Sequence, residues 1–114
     1  PGMKISYEAN VGDSPDDNYF IYANPETGQM EWLGYTVTYG KDGPSDSVSY
    51  IRYNDWIAVN GLTLPNSLQW YNSENNSPSK PVGDRVAFKN ISVSEEKIDT
   101  AKFAKPEGAQ LGVK

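Results

Sequence analysis

The sequence predicts a mainly β protein built on an antiparallel sheet of about six to seven strands. Strand-forming aromatic residues are abundant, with eight Tyr, three Trp and three Phe in 114 residues. Apolar and polar residues alternate along several short segments, which is the period of a strand with one buried face. Turn-forming Gly, Pro and Asn residues recur between these segments, so consecutive strands are expected to pair as hairpins.

The N-terminal part is expected to contribute three strands. Segment 4–9 alternates, and segment 19–23 is a run of strand-forming residues. The sequence Asn-Pro-Glu-Thr-Gly at 24–28 is a strong turn signal, because proline presets φ and glycine supplies the left-handed position. Segment 29–39 alternates again and is expected to return antiparallel to 19–23 as the longer arm of a hairpin.

The middle of the chain is predicted to form the centre of the sheet. Strands are expected at 47–53 and at 67–71. Between them, Asn60-Gly61 is typical of a two-residue hairpin turn, since both residue types tolerate positive φ. We expect the hairpin around this turn, which ends at Pro65, to occupy the middle of the antiparallel sheet.

The C-terminal part mixes polar and strand-forming segments. The run 72–81 contains no apolar residue that would need burial, so it is predicted to be an exposed loop. Segment 82–93 has strand character. Segment 94–104 is the only predicted helical piece, a single short turn with Ser94 as its N-cap.

The length allows one domain. We expect residues 1–109 to form this domain and residues 110–114 to be a flexible tail. No apolar run approaches the roughly 20 residues of a membrane-spanning helix, so the chain is not expected to span a membrane. Because the sequence begins at Pro1, we expect it to be a processed piece of a longer, exported precursor.

Charge and composition argue against several functions. The net charge is −5, so a basic surface for nucleic acid is not expected. The sequence contains neither Cys nor His. Catalysis by imidazole or thiolate and zinc sites built from these residues are therefore excluded, and no cofactor is predicted.

Three segments together resemble a known family. They are the aromatic hairpin with Asn-Pro-Glu-Thr-Gly at its tip, the segment 53–65 (Tyr-Asn-Asp-Trp-Ile-Ala-Val-Asn-Gly-Leu-Thr-Leu-Pro) and the ending 90–108. In this order they are similar to the C-terminal half of outer-membrane lipoprotein carrier proteins of the LolA/LolB-like fold, closest to envelope proteins of Bacteroidetes. The resemblance implies a curved half-barrel that holds acyl chains, no catalytic residues, and a location in the periplasm or cell envelope.

The first functional hypothesis is therefore a non-enzymatic binding protein for an apolar ligand, an acyl chain or a lipidated partner. An apolar sheet face suits an acyl chain, because burial of each methylene contributes about 0.8 kcal/mol. Ordinary core packing is the alternative explanation for each apolar residue. The predicted ligand-binding face consists of Trp32, Leu33, Tyr35, Val37, Tyr50, Trp56, Leu62 and Trp70.

Two other binding functions remain open. The many Tyr and Trp residues would also suit a carbohydrate-binding module, in which rings stack on sugars. An exposed coplanar pair of Trp32 with Trp56 or Trp70 would favour that function. An open sheet also has free edges, so the chain is alternatively a structural domain that forms a homodimer or pairs with a missing N-terminal half.

Catalysis and metal binding receive less support. Glu31 and Asp55 are the plausible carboxylate pair for an enzyme without His or Cys, but we expect Glu31 to point to solvent and catalysis is not predicted. Asp13, Asp16 and Asp17 lie in one loop and suggest calcium. A solvated acidic turn explains these three residues better, so no metal site is predicted.

Overall fold

The computed structural model describes residues 2–112 and consists of eight strands and one 3₁₀ turn. The strands are β1 (Gly2–Ile5), β2 (Tyr19–Ala23), β3 (Met30–Tyr35), β4 (Ser49–Asn54), β5 (Ile57–Val59), β6 (Leu62–Leu64), β7 (Ser67–Glu74) and β8 (Ser77–Ala87). The 3₁₀ turn is Thr100–Phe103. The mainly β character predicted from the sequence is confirmed.

Six strands form one open antiparallel sheet in the order β1-β2-β3-β4-β7-β8. Strands β5 and β6 form a separate two-stranded sheet that projects between β4 and β7. The prediction that this hairpin occupies the middle of the sheet is wrong. Strand β4 instead pairs directly with β7, and the chain enters and leaves the small hairpin beside this pairing.

Asparagine residues form the turns of two hairpins. Asn60 and Gly61 both have positive φ, as the sequence predicts. Asn75 and Asn76 also have positive φ, of 51° and 55°, and they connect β7 to β8. The prediction that 72–81 is a loop is therefore wrong: most of this segment belongs to β7 and β8, and only Asn75 and Asn76 form the turn between them. Asparagine suits this turn because it tolerates the left-handed conformation better than most residues.

Several predicted boundaries also differ from the structure. The predicted strand 29–39 ends at Tyr35, and the predicted strand 82–93 lies instead at Ser77–Ala87. The single helical turn is N-capped by Asp99, whose side chain accepts a hydrogen bond from the Ala101 amide. Part of the predicted tail 110–114 lies outside the described residues.

Strand register divides the side chains of the large sheet between two faces, because directly paired residues point the same way. One face, called here the apolar face, carries the rows Met3–Ile21–Leu33–Ile51–Trp70–Val82, Ile5–Tyr19–Tyr35–Ser49 and Tyr53–Leu68–Val86. The opposite face, called here the cleft face, carries the rows Gly2–Tyr22–Trp32–Arg52–Gln69, Lys4–Phe20–Gly34–Tyr50–Tyr71–Pro81 and Asn54–Ser67–Ala87.

Most of the burial in the large sheet lies on the cleft face. Gly34, Tyr50, Ser67 and Gln69 are buried there, whereas no residue in the three rows of the apolar face is buried. The exposed surface is 9196 Å². A compact monomer of this mass, 12.6 kDa, would expose about 6200 Å². The described chain is thus a single sheet layer, and the residues of its apolar face are half-buried or exposed.

Gly34 is a point of close packing on the cleft face. A Cβ atom at this position would lie 3.1 Å from both Tyr50 Cε1 and Val48 Cγ1. Both contacts are tighter than ordinary van der Waals separation, and both neighbours belong to the small buried core. A side chain larger than hydrogen would therefore displace the ring that fills this part of the sheet.

We expect Gly34→Ala to lower the free energy of unfolding by about 1–3 kcal/mol, because the added methyl group overpacks the contact with Tyr50 and Val48. Urea denaturation followed by circular dichroism measures this loss. Gly112→Ala is the control, since nothing lies within 4 Å of a Cβ atom there. Equal stability of the two variants would contradict the packing described for Gly34.

Candidate functional site

A cleft of about 530 Å³ lies on the cleft face, between the sheet and the tip of the β7–β8 hairpin. Its floor and walls are formed by Tyr22, Trp32, Tyr50, Arg52 and Tyr71 together with the hairpin residues 76–79. The volume is within the range of small-molecule sites, roughly 300–1,000 Å³. The cleft therefore combines aromatic surface, one guanidinium group and the polar groups of a turn.

Trp32 connects the aromatic and charged parts of the cleft. Its ring centroid is 4.8 Å from that of Tyr71, with the two planes inclined at 65°. The Arg52 guanidinium carbon lies 5.3 Å from the Trp32 ring centroid, which is a cation–π distance. Within residues 2–112, no carboxylate forms an ion pair with Arg52. Stacking on Trp32 therefore orients the Arg52 guanidinium, and its N–H groups are available to donate hydrogen bonds to a ligand.

Tyr50 holds the hairpin tip against the sheet. Its side chain is only 4% exposed, and its hydroxyl donates a hydrogen bond to the backbone carbonyl of Asn76. Burial raises the pKa of the Tyr50 phenol, and the neighbouring Tyr22 phenol raises it further. The neutral, donating form of Tyr50 is thus the form that the structure favours.

The apolar face is the second candidate surface. Every residue in its three rows is uncharged, and the row from Met3 to Val82 crosses all six strands. Trp56 lies at its margin, where its ring centroid is 6.3 Å from that of Tyr53. Burial raises the pKa of the Tyr53 phenol, and the nearby Tyr35 phenol adds to the shift. The Trp56 Nε1 atom is buried and has no hydrogen-bond partner within the described part of the chain.

The structure divides the predicted ligand-binding residues between the two faces. Leu33, Tyr35 and Trp70 lie on the apolar face, as the hypothesis requires. Tyr50 pairs with Gly34 and Trp32 pairs with Arg52, so both lie on the opposite face. The grouping of Tyr50 with Leu33 is therefore wrong, because the alternation along each strand does not reveal the register between strands.

The remaining predicted site residues lie outside the large sheet. Val37 follows the end of β3 and is 47% exposed, and Leu62 is an exposed residue of the small hairpin. The coplanar pair of Trp32 with Trp56 or Trp70 is not formed: Trp70 is on the other face, and Trp56 packs near Tyr53. Trp32 instead contacts Tyr71 at an angle.

The carboxylates singled out in the sequence have structural partners. Glu31 accepts a hydrogen bond from the Asn24 amide at 3.1 Å. Asp55 accepts one from the Ser67 hydroxyl at 2.5 Å and lies 3.4 Å from Arg85. Both side chains therefore take part in holding turns and strand ends.

The three aspartates of the loop before β2 differ in burial and in hydrogen bonding. Asp13 and Asp16 are exposed, whereas Asp17 is buried and accepts a hydrogen bond from the Thr36 hydroxyl at 3.3 Å. Across residues 2–112, no group of three or more acidic side chains is placed to hold a metal ion.

Sequence reasoning missed three cleft residues, Tyr22, Arg52 and Tyr71. Each lies on a predicted strand, but only the cross-strand register brings them together with Trp32. The polar wall at 76–79 was missed because the segment was predicted to be a loop. The Asn-Asn pair at its centre was the available signal, since asparagine is common at the left-handed positions of hairpin turns.

Comparison of the chain with models of known protein families, with curated proteins and with solved structures found no match. No helix within residues 2–112 has the length and hydropathy needed to cross a membrane.

Tyr50→Phe tests the contact between the sheet and the hairpin tip. We expect it to lower the free energy of unfolding by about 0.5–1.5 kcal/mol, because the Asn76 carbonyl loses its donor. Tyr39→Phe is the matched control, since Tyr39 is 78% exposed. Urea denaturation of the three proteins measures the difference.

The stability difference between the native sequence and Tyr50→Phe is also expected to depend on pH. The folded-state pKa of Tyr50 is raised above 10.0, so its contribution is complete below pH 10 and is lost as the pH rises through the folded-state pKa. We expect the stability difference between the native sequence and Tyr50→Phe to be constant below pH 10.0 and to shrink as the pH rises above it. A difference that stays constant as the pH rises above 10.0 would contradict the assignment.

Proposed function

We propose that this protein is a non-enzymatic binding protein whose apolar face receives an acyl chain, carried by a lipid or by a lipidated partner protein. The observation that carries the proposal is the row Met3–Ile21–Leu33–Ile51–Trp70–Val82, in which no residue is buried. Apolar rows of this kind are normally covered by a second layer of the fold, because a sheet must bury its hydrophobic face.

The dimensions of the row support a chain-like ligand. Six strands at a spacing of about 4.8 Å make the row about 24 Å long. A lipid chain spans about 15 Å in one leaflet of a bilayer, half of the hydrocarbon thickness. One acyl chain lying along the row therefore fits within it. Each methylene that leaves water on binding contributes up to about 0.8 kcal/mol.

The lack of charge in the paired rows of the apolar face favours the same ligand class, although Glu31 alternates with Leu33 along β3 and Asp84 lies between Val82 and Val86 in β8. The chain has 15 acidic and 10 basic residues, yet none of them occurs in the three rows of this face. Tyr19 and Tyr35 border the apolar row at one side, and Tyr53 at the other. Their hydroxyl groups can remain hydrated while the rings contact the chain.

We also propose a location in the periplasm or cell envelope, which the resemblance to lipoprotein carriers implies. This resemblance rests on the turn and closing motifs of the sequence. In the proposed role, the sheet forms one wall of the binding site. The bound lipid or the lipidated partner protein covers part of the opposite side.

A second copy of the chain is the competing occupant of the apolar face. A standard protein interface buries about 800 Å² on each partner. The surface exposed here exceeds that of a compact monomer by more than this amount, so face-to-face association is also possible in area terms. The experiment must therefore report ligand and subunit number together.

We expect native mass spectrometry of protein purified without detergent to detect a monomer with a bound lipid or fatty acid. Titration with a fluorescent fatty acid gives the affinity, and a lipidated peptide compared with its unlipidated form tests the protein-borne source. Ile51→Thr places a hydroxyl in the centre of the row while keeping strand propensity. We expect it to weaken binding of either probe by about tenfold, the effect of one or two methylenes.

Ile98→Thr is the matched control, because Ile98 is exposed and lies outside the sheet. It is expected to bind the probes as the native sequence does. A ligand-free dimer that Ile51→Thr converts to monomer would assign the apolar face to self-association instead. A ligand-free monomer without affinity for the probes would exclude the proposed function.

A further inference from the structure

We propose that the cleft on the opposite face of the sheet is a second binding site, for an acidic oligosaccharide. In this site a sugar ring packs in the corner between Trp32 and Tyr71, and its carboxylate pairs with Arg52. The site is independent of the acyl-chain proposal, because it uses the other face and different residues.

The charge of the cleft face points to an anionic ligand. The two charged residues in its rows are Lys4 and Arg52, although the protein as a whole has a net charge of −5. Each cation stacks on an aromatic ring: Lys4 Nζ is 6.0 Å from the centroid of Phe20, and Arg52 is 5.3 Å from that of Trp32. A negative protein thus presents a locally positive, aromatic surface.

Arg52 is suited to a carboxylate. Its guanidinium is planar and presents paired donors that match the two oxygens of a carboxylate group. Within residues 2–112 it forms no ion pair, and stacking on Trp32 limits its orientation. An external carboxylate would therefore find the donor group already positioned, which reduces the entropy lost on binding.

The aromatic geometry favours a sugar ring as the remainder of the ligand. Trp32 and Tyr71 meet at 65°, so their rings form two walls of a corner. A pyranose has apolar C–H faces that can contact these rings, and hydroxyl groups at its rim that need hydrogen-bonding partners. The cleft volume of about 530 Å³ leaves room for more than one sugar unit.

The hairpin tip supplies polar groups for the sugar hydroxyls. Asn76, Ser77 and Ser79 line the cleft opposite the rings. The tip is held in position before any ligand arrives, because Tyr50 donates to the Asn76 carbonyl and the Ser79 hydroxyl donates to the Asn72 carbonyl. The Ser79 oxygen keeps acceptor capacity in this arrangement.

Binding of trigalacturonic acid, compared with neutral galactotriose, tests the inference. The two probes differ in the carboxylates. We expect calorimetry at low ionic strength to show at least tenfold tighter binding of the acidic trimer. We also expect nuclear magnetic resonance to show shifts of the Arg52 Nε–H and Trp32 Nε1–H signals on its addition. Arg52→Gln should reduce the preference for the acidic probe to about twofold or less.

Arg85→Gln is the control for loss of a positive charge, since Arg85 is exposed and contacts Asp55 away from the cleft. It should keep the acidic preference. Trp32→Leu should abolish binding of both probes, and the unfolding temperature of each variant shows whether it is folded. No binding at millimolar probe would overturn the proposal, as would equal binding of the two probes or an acidic preference that survives in folded Arg52→Gln.

Discussion

The pairing of β4 with β7 is the contact on which the large sheet depends. It joins the meander β1-β2-β3-β4 to the hairpin β7-β8, although the small β5–β6 hairpin separates the two strands in sequence. Polar contacts close this junction. The buried Ser67 hydroxyl donates to Asp55, and the Asn66 amide donates to the Asn54 carbonyl at 3.1 Å. These bonds offset part of the entropy lost in closing the intervening loop.

A sheet in a single layer places unusual demands on its buried residues. Val48 and Tyr50 are the buried hydrophobic residues of the described chain, and polar side chains such as Thr36, Ser67 and Gln69 are buried with them. Gln69 spans the irregular pairing of β7 with β8 by donating to the carbonyls of Val82 and Gly83. Hydrogen bonds and a few close contacts, more than a large core, therefore define the cleft face.

The sequence was informative where the structural signal is local. The turn at 24–28 and the Asn60-Gly61 turn were predicted because their residue types tolerate the required φ angles. The first part of strand β8 was not predicted, because residues 77–81 are exposed and have no apolar period, whereas residues 82–87 lie within the predicted strand 82–93. The direct pairing of β4 with β7 was not predicted, because it depends on residues that are distant in sequence.

The register between strands decides which side chains share a face of the sheet and therefore a candidate site. Tyr50 and Leu33 each fit an alternating pattern, but a one-residue change of register moves a side chain to the other face. The paired positions place Tyr50 opposite Gly34, with the aromatic residues of the cleft, and leave Leu33 in the apolar row. Trp32 and Arg52 become neighbours by the same pairing, which no pattern within either strand could reveal.

The composition of β8 has a consequence for assembly and solubility. This edge strand contains Pro78 and Pro81, which lack the amide hydrogen needed to bond a further strand, and the charged residue Lys80 lies between them. Continued growth of the sheet past this edge into fibrils is therefore disfavoured. Because no residue in the rows of the apolar face is buried, a blocked edge leaves the faces of the sheet, more than this edge, as the surfaces for contact with other molecules.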